Sequence, residues 1–256
     1  MTLFAPRLFL DNPRARGWRE HDAIDAIKLR TNIVMTRETA ARTVYHGQAI
    51  DRRCRACHGP SERLGHVLGN CASTQVDRVA RHDSVCAYLA MRLQQLVHRP
   101  TRPLDAEIHR EFRVNIRQDE APGLSSDRLL RPDLVVILPS RVVVIEVSVV
   151  YESEFGKRRG DNSLRQVRRD KLAKYAVLRG VLEARYKKPV SLRTLIVGCR
   201  GGWLATNNKV FRDFDSDLSD HDKNCCVERA VRGSLITYRR FVARTRAPLI
   251  SHVQPG

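Results

Sequence analysis

Four residues in the first third of the chain have the types and the spacing of a metal site, C-x2-C-x8-H-x4-C: Cys54, Cys57, His66 and Cys71. Two cysteines three positions apart can hold one ion from a tight turn, and a second pair can complete the tetrahedron that zinc prefers. His58 is a rival ligand, but it directly follows Cys57, where the geometry is poor. The pattern predicts a small zinc knuckle in residues 51–75, and such knuckles commonly bind nucleic acid. A chance cluster of thiols is the alternative.

Two acidic residues, Asp133 and Glu146, interrupt the β-branched segments "DLVVIL" and "RVVVIEVSVV", where acids are uncommon. Pro139 and Ser140 separate these segments, and the pattern predicts a hairpin. In that register Asp133 lies directly opposite Glu146, with Cβ atoms about 5 Å apart. Carboxylates this close repel unless a proton or a cation lies between them. A divalent cation that takes oxygen ligands, such as Mg²⁺, is the simplest way to offset this repulsion. The alternative is that both acids point to solvent or pair with arginines.

A metal held by this pair of carboxylates can activate water, and the family resemblance given below implies that the reaction is phosphodiester hydrolysis, in which Mg²⁺ also offsets charge at phosphorus. Glu111 is a candidate additional acid, although a solvated surface glutamate is the simpler interpretation. A lysine near the attacking water would orient it or stabilise the developing charge. The sequence shows neither a Ser/His/Asp pattern nor a phosphate-binding glycine loop.

Two lysines are candidates for that role. On a helix in residues 162–186, Lys171 falls inside the apolar stripe, whereas Lys174 lies at its edge. A lysine on a core-facing stripe must extend to solvent or meet a negative partner, since an unpaired buried charge is costly. We therefore expect Lys171 to reach the carboxylates, while the family resemblance given below, which includes both lysines, implies a phosphate contact for Lys174. The alternative for Lys171 is that it only extends to solvent.

The segment around these lysines is strongly basic. Residues 157–193 contain thirteen basic and three acidic residues. Such a run is usually a solvated face, but beside a nuclease site it is expected to follow a DNA backbone. Arg168 and Arg169 are the arginines on this helix that we expect to bind nucleic acid.

The elements that must position these residues follow from the apolar periodicity. A helix is predicted in residues 76–97, with an inward stripe of Val79, Cys86, Leu89, Leu93 and Leu96. His82 falls on the same face, where a satisfied core histidine is commoner than a catalyst. The other predicted elements are strands in residues 108–116, 133–138, 141–150 and 190–198 and helices in 162–186 and 225–244. This order predicts an α/β fold with a mixed sheet flanked by helices.

The composition limits the partners and the compartment. The chain has 256 residues, a net charge of +18 and a pI of about 10.3. A surplus of positive charge of this size usually binds phosphate groups. No apolar run approaches the roughly 20 residues that span a bilayer, and we expect no membrane partner. The N-terminus lacks the pattern of a signal peptide, so we expect an intracellular protein with reduced or metal-bound cysteines.

The segment "RPDLVVILPSRVVVIEVSVV" resembles the PD-(D/E)xK nuclease core. Within it, the chain is most similar to the restriction-like endonuclease at the C-terminus of R2-type non-LTR retrotransposon proteins. The zinc pattern lies just upstream, "RHDSV" resembles the Arg-His-Asp stretch of that family, and "KLAKY" resembles its Lys-x-x-Lys element. The resemblance covers about residues 45–200, and the order of its motifs is more specific than the two carboxylates alone.

The resemblance implies a restriction-endonuclease-like fold that nicks target DNA, so that the exposed 3′ end primes reverse transcription. It also implies that Arg81 and His82, within "RHDSV", bind nucleic acid. The implied partners are target DNA, the RNA of the element and an upstream reverse transcriptase region, and the implied location is the nucleus. We accordingly expect a connector in residues 1–50, the knuckle in 51–75 and the endonuclease domain in 76–256.

One position departs from the superfamily: Ser148 stands two residues after Glu146, where most members have lysine. R2-type relatives also displace this lysine, which leaves Lys171 and Lys174 as the candidates. The rival hypothesis is a non-catalytic or decayed nucleic-acid-binding protein. An independent integrase or repair nuclease is a third, and the knuckle ahead of "RHDSV" argues against it.

Overall fold

The computed structural model describes residues 3–4, 17–43, 51–101, 103–121, 125–153 and 163–245. Its helices are α1 Glu20–Arg30, α2 Arg37–Thr43, α3 Leu64–Gly69, α4 Gln75–Val97, α5 Ser163–Tyr175, α6 Val177–Tyr186 and α7 Asp220–Arg244. Its strands are β1 Leu3–Phe4, β2 Glu107–Arg110, β3 Val114–Ile116, β4 Arg128–Leu130, β5 Leu134–Ile137, β6 Val142–Val150, β7 Val190–Gly198 and β8 Gly202–Trp203.

A mixed sheet with the strand order β1-β8-β7-β6-β5-β2 forms the centre of the fold. Strands β6 and β7 run parallel, and the other neighbouring strands are antiparallel. Strands β3 and β4 form a separate two-stranded sheet. The parallel pair needs a long crossover, which α5 and α6 supply between β6 and β7.

The predicted hairpin register is confirmed. Ile137 pairs with Val142 and Leu134 pairs with Ile145, and the amide of Leu138 donates to the carbonyl of Arg141 at 2.8 Å. In an antiparallel pair this register continues outward, so the residue before Leu134 lies opposite the residue after Ile145. These residues are the two predicted carboxylates.

Helices cover both faces of the central sheet. On one face, β6 residues such as Ile145 and Val147 pack into the same cluster as residues of α4 and α7. On the other face, Val142 and Val144 pack against α6 residues such as Leu178. Since β6 is covered on both faces, its residues 142–148 are all buried, as is typical of a central strand. The predicted fold class, a mixed α/β sheet flanked by helices, is confirmed.

Two predicted elements are divided in the structure. The helix expected in residues 162–186 is two helices, and at the break the amide of Ala176 bonds to the carbonyl of Ala173, only three residues back. The strand expected in residues 108–116 is β2 and β3, which belong to different sheets. Between them Glu111 has φ +49°, a left-handed conformation that ends the extended strand.

One member of the predicted α4 stripe does not lie in the core, because Val79 is 51% exposed. The inward positions of these first turns are polar instead. Asp77 accepts hydrogen bonds from Arg240 and Arg244 of α7, and Arg81 donates to Ser234 of the same helix. Hydropathy alone does not reveal this polar contact between α4 and α7, so the prediction for Val79 was wrong.

The segment before the Cys/His pattern packs on helix α7. Ala26 and Leu29 of α1 are fully buried, and Arg239 of α7 contacts Asp22 and Asp25. Helix α2 accounts for the part of "RETAARTVYHGQAIDRR" that we expected to be helical, and residues 44–50 lie outside the described residues. The division into connector, knuckle and endonuclease domain stays a prediction.

None of the helices in the described residues is long and apolar enough to cross a membrane.

Candidate functional site

The four predicted zinc ligands converge. Cys54 and Cys57 lie in a turn closed by a hydrogen bond from the Cys54 amide to the carbonyl of Pro60. His66 is on α3, and Cys71 follows this helix, where its amide bonds to the carbonyl of His66. The cluster therefore combines a tight turn and a one-turn helix, as its spacing predicts.

The ligand atoms have the separations of a metal centre. Cys54 Sγ lies 3.7 Å from Cys71 Sγ, Cys57 Sγ lies 3.3 Å from His66 Nε2, and all four ligand atoms lie within 4.8 Å of one another. Burial lowers the pKa of His66, which favours the neutral ring that ligates a metal. Burial raises the pKa of Cys54 to about 12, so a bound metal must displace its thiol proton. The donor set and its size fit a metal such as zinc.

The Cys/His cluster is fixed to the rest of the protein. Its buried residues pack with Val67 and with Phe241 of α7. Arg55, in the turn, pairs with the fully buried Glu62, which also accepts from the amide of Arg37 at the start of α2. The Cys/His cluster is therefore positioned by two helices from outside its own sequence segment.

Asp133, just before β5, and Glu146, in the middle of β6, are adjacent. The amide of Val147 donates to Asp133 Oδ2 at 2.7 Å, and the amide of Asp133 donates to Glu146 Oε2 at 3.3 Å. Each carboxylate therefore accepts from the backbone of the opposite strand, which fixes the two side chains relative to each other.

Lys171 reaches this pair from α5. Its Nζ donates a hydrogen bond to Glu146 Oε1. Glu146 lies on the sheet face that α5 and α6 cover, so the expectation that Lys171 meets a negative partner holds in the structure. Lys174 does not contact the carboxylates directly: its Nζ is 3.3 Å from the hydroxyl of Tyr175 and 4.7 Å from the centre of that ring. Tyr175 itself lies beside the two acids, because burial and next the charges of Glu146 and Asp133 raise its pKa.

The charges near Glu146 have opposite effects on its pKa. Burial, and next the nearby charge of Asp133, raise the pKa of Glu146, while Lys171 lowers it. A further cation would relieve the repulsion between the two acids. Asp133 retains 17% of its side-chain exposure, so one carboxylate remains open to the solvent. Two adjacent carboxylates with one open side are oxygen ligands of the kind that Mg²⁺ takes.

His82, which the resemblance implied as a nucleic-acid-binding residue, contacts this site from α4, and its contact with Asp133 was not predicted. Its Nε2 lies 3.5 Å from Asp133 Oδ1 and 3.3 Å from the carbonyl oxygen of Val147. The hydrogen bond with Asp133, followed by one with Cys86, raises the pKa of His82 to about 11. The inward helical phase of His82 was the available signal, and it was interpreted as a core position.

The other predicted site residues are not all close to the carboxylates. The amide of Glu111 donates to the carbonyl of Asp133 at 2.9 Å, but its side chain is exposed. Arg81 is only 3% exposed and donates to Ser234 and to the carbonyl of Leu68, a position that fits packing better than contact with nucleic acid. On α5, Arg168 is half-buried and Arg169 is exposed.

A groove runs from His82 and Lys171, which contact the carboxylates, to His66 of the Cys/His cluster. Beside His82 and Lys171 it is lined by Gly69 and Val149, which also line its middle section. The middle section opens into a wider hollow, and three residues line both: Gly65, Asn70 and Tyr151. The wider hollow is also lined by Arg42, Arg63 and His66. The groove therefore joins the two candidate sites along α3.

Comparison with known proteins adds the following relatives. The chain matches no protein-family model. It is 29% identical over 237 residues to a retrovirus-related Pol polyprotein from the type-1 retrotransposable element R2 of Popillia japonica, covering 91% of this chain and 42% of the relative. It is 27% identical over 224 residues to the corresponding polyprotein from the type-2 element R2DM of Drosophila melanogaster, covering 86% of this chain and 18% of the relative.

A further type-1 R2 polyprotein of Popillia japonica is 24% identical over 241 residues, covering 93% of this chain and 35% of the relative. The chain thus spans less than half of the length of each of these relatives. The chain is homologous to R2 retrotransposon Pol polyproteins over most of its length.

Proposed function

We propose that the chain is a Mg²⁺-dependent endonuclease that nicks target DNA for target-primed reverse transcription of a non-LTR retrotransposon. The observation that carries the proposal is the convergence of Asp133, Glu146 and Lys171 from two adjacent strands and the helix that follows them. The homology to R2 polyproteins supports the retrotransposon context.

Asp133 and Glu146 are the residues that would hold Mg²⁺. The ion supplies Lewis acidity at the phosphodiester when it is bound. The backbone amides of Asp133 and Val147 hold the two carboxylates in place, so that little reorganisation is needed when the ion enters. This fixed position is what the β5–β6 hairpin contributes to catalysis.

Lys171 is proposed as the catalytic lysine. Its ammonium group lies at Glu146, where it offsets part of the negative charge of the two acids. Its side chain is 29% exposed, so the same group can reach a phosphate in the groove. A fixed positive charge at this point stabilises the charge that develops on the phosphate during hydrolysis.

Nucleic-acid binding is proposed for the groove and the basic surface. The net charge of +18 favours a polyanion, and Arg42 and Arg63 line the far end of the groove. Zinc in the Cys/His cluster would keep α3, one wall of that groove, in position. The proposed partners are target DNA, the RNA of the element and a reverse transcriptase region, and the proposed location is the nucleus.

The test is a nicking assay on supercoiled plasmid with the purified chain. We expect conversion to open circles with Mg²⁺ and none with EDTA in excess over Mg²⁺. A chain that binds DNA but never nicks with Mg²⁺ would contradict the proposal and favour the non-catalytic or decayed nucleic-acid-binding protein. Recovery of nicking when Mg²⁺ is restored controls for damage by EDTA.

A further inference from the structure

We propose that His82, Cys86 and Asp133 form a second metal site that takes Zn²⁺, and that zinc bound there competes with Mg²⁺ for Asp133. The site itself depends only on the three side chains. Its inhibitory effect rests on the proposed nuclease function.

The geometry of the three donors supports the site. His82 and Cys86 are four residues apart on α4, so they share one face of the helix. Cys86 Sγ lies 3.6 Å from His82 Nε2, which in turn lies 3.5 Å from Asp133 Oδ1. All three ligand atoms lie within 4.8 Å of one another. Zinc bonds of about 2.0–2.3 Å in a tetrahedron separate the ligand atoms by about 3.3–3.8 Å, and both measured distances fall in that range.

The donor types favour zinc over magnesium. A thiolate and an imidazole are ligands of zinc and similar transition metals, whereas Mg²⁺ prefers oxygen. Three protein ligands leave a fourth coordination position, as in zinc sites that bind a small molecule. Cys86 is only 5% exposed, but His82 lines the groove, so an ion can enter from that side.

Zinc binding here is an exchange of protons for a metal. The thiol of Cys86 loses one proton and the imidazolium of His82 loses another, and one Zn²⁺ takes their place. Asp133 exchanges its contact with His82 for a bond to zinc. Bonding to zinc weakens the hold of the same carboxylate on Mg²⁺, so nicking slows although the fold is intact.

A second His–Cys pair in the chain provides a matched control. His221 and Cys225 have the same four-residue spacing on α7, and Cys225 Sγ lies 3.4 Å from His221 Nε2. Within the described residues, this pair does not belong to a group of three metal-binding side chains. It should therefore bind zinc more weakly than the group that contains Asp133.

The experiment is equilibrium dialysis of the full chain against a controlled excess of Zn²⁺, followed by elemental analysis. We expect two zinc ions per chain in the parent and in Cys225→Ser, and one in Cys86→Ser. Because serine in a buried position can destabilise the fold, Cys86→Ala is measured as well, and one zinc is expected again. A parent that takes one zinc, a Cys86→Ala variant that keeps two, or a loss in Cys225→Ser would overturn the proposal.

Zinc inhibition of nicking provides the second measurement, at constant Mg²⁺ and relative to the rate of each variant without added zinc. We expect Cys86→Ala to need at least about tenfold more zinc for half-inhibition than the parent. Equal inhibition of the two proteins would show that zinc acts elsewhere. If the parent never nicks, the nuclease proposal fails, whereas the zinc stoichiometry still decides whether the second site exists.

Discussion

Lys171 on α5 donates a hydrogen bond to Glu146 on β6, so the helix that follows the carboxylate strand returns a positive charge to it. Lys174, one turn away, contacts Tyr175 instead. The two lysines of the same short motif therefore lie in different surroundings. Their separate roles can be tested.

Replacing Lys171 by alanine should lower the nicking rate by about 100-fold with little change in DNA affinity, because a charge that stabilises the transition state is lost. Lys174→Ala should instead weaken DNA binding, and its effect should diminish at low salt, where the remaining phosphate contacts are stronger. Nicking rates at saturating DNA and binding isotherms at two salt concentrations give both values. Reversed results would assign the catalytic role to Lys174, and two neutral variants would remove α5 from the site.

Replacing Cys57 by serine should remove the zinc that the protein retains after dialysis against buffer without added zinc, since three ligands bind the ion more weakly than four. Under that condition the three-ligand site at Cys86 is expected to be empty, so elemental analysis should give about one zinc per chain in the parent and in Cys225→Ser, and none in Cys57→Ser. The buried part of the cluster packs on Phe241, so the variant should also unfold at a lower temperature. Full zinc content in Cys57→Ser would contradict the assignment of these ligands.

Helix α7 crosses α4 at Gly233, where the absence of a side chain is required. A Cβ atom there would lie 2.5 Å from Cγ and 2.7 Å from Cβ of the buried Arg81. Gly233→Ala should therefore lower the free energy of unfolding by about 1–3 kcal/mol, because the two helices must separate.

Gly180, on the exposed side of α6, is the matched control, since a Cβ atom there meets no heavy atom within 4 Å. Gly180→Ala should raise the free energy of unfolding by about 0.5–1 kcal/mol through helix propensity. Urea unfolding of both variants measures these values. Equal effects of the two substitutions on the free energy of unfolding would contradict the close approach of α4 and α7 at Gly233.

The β5–β6 hairpin could be predicted from the sequence because the position of its turn is a local signal. Two continuous β-branched segments flank Pro139 and Ser140, and a turn there selects the register that pairs Leu134 with Ile145. The Cys/His cluster was predictable for a similar reason, since all four ligands lie within one short segment.

Contacts between distant segments could not be predicted in this way. His82 meets Asp133 because α4 packs across the end of β5, and a single sequence contains no signal for that crossing. The burial of Asp77, which pairs with Arg240, is likewise invisible to hydropathy, which treats an aspartate as exposed. Helical phase could show that His82 points inward, but it could not show what lies there.

The central claim is that Asp133 and Glu146 form the Mg²⁺ site of a nuclease. The most direct measurement is the rate of plasmid nicking by Asp133→Asn and Glu146→Gln, with Glu107→Gln, an exposed acid on β2, as the control. Both site variants should lose far more than tenfold in rate, which is about 1.4 kcal/mol in barrier, while DNA affinity and the control stay at the parental values. Nicking by either site variant at the parental rate would contradict the claim.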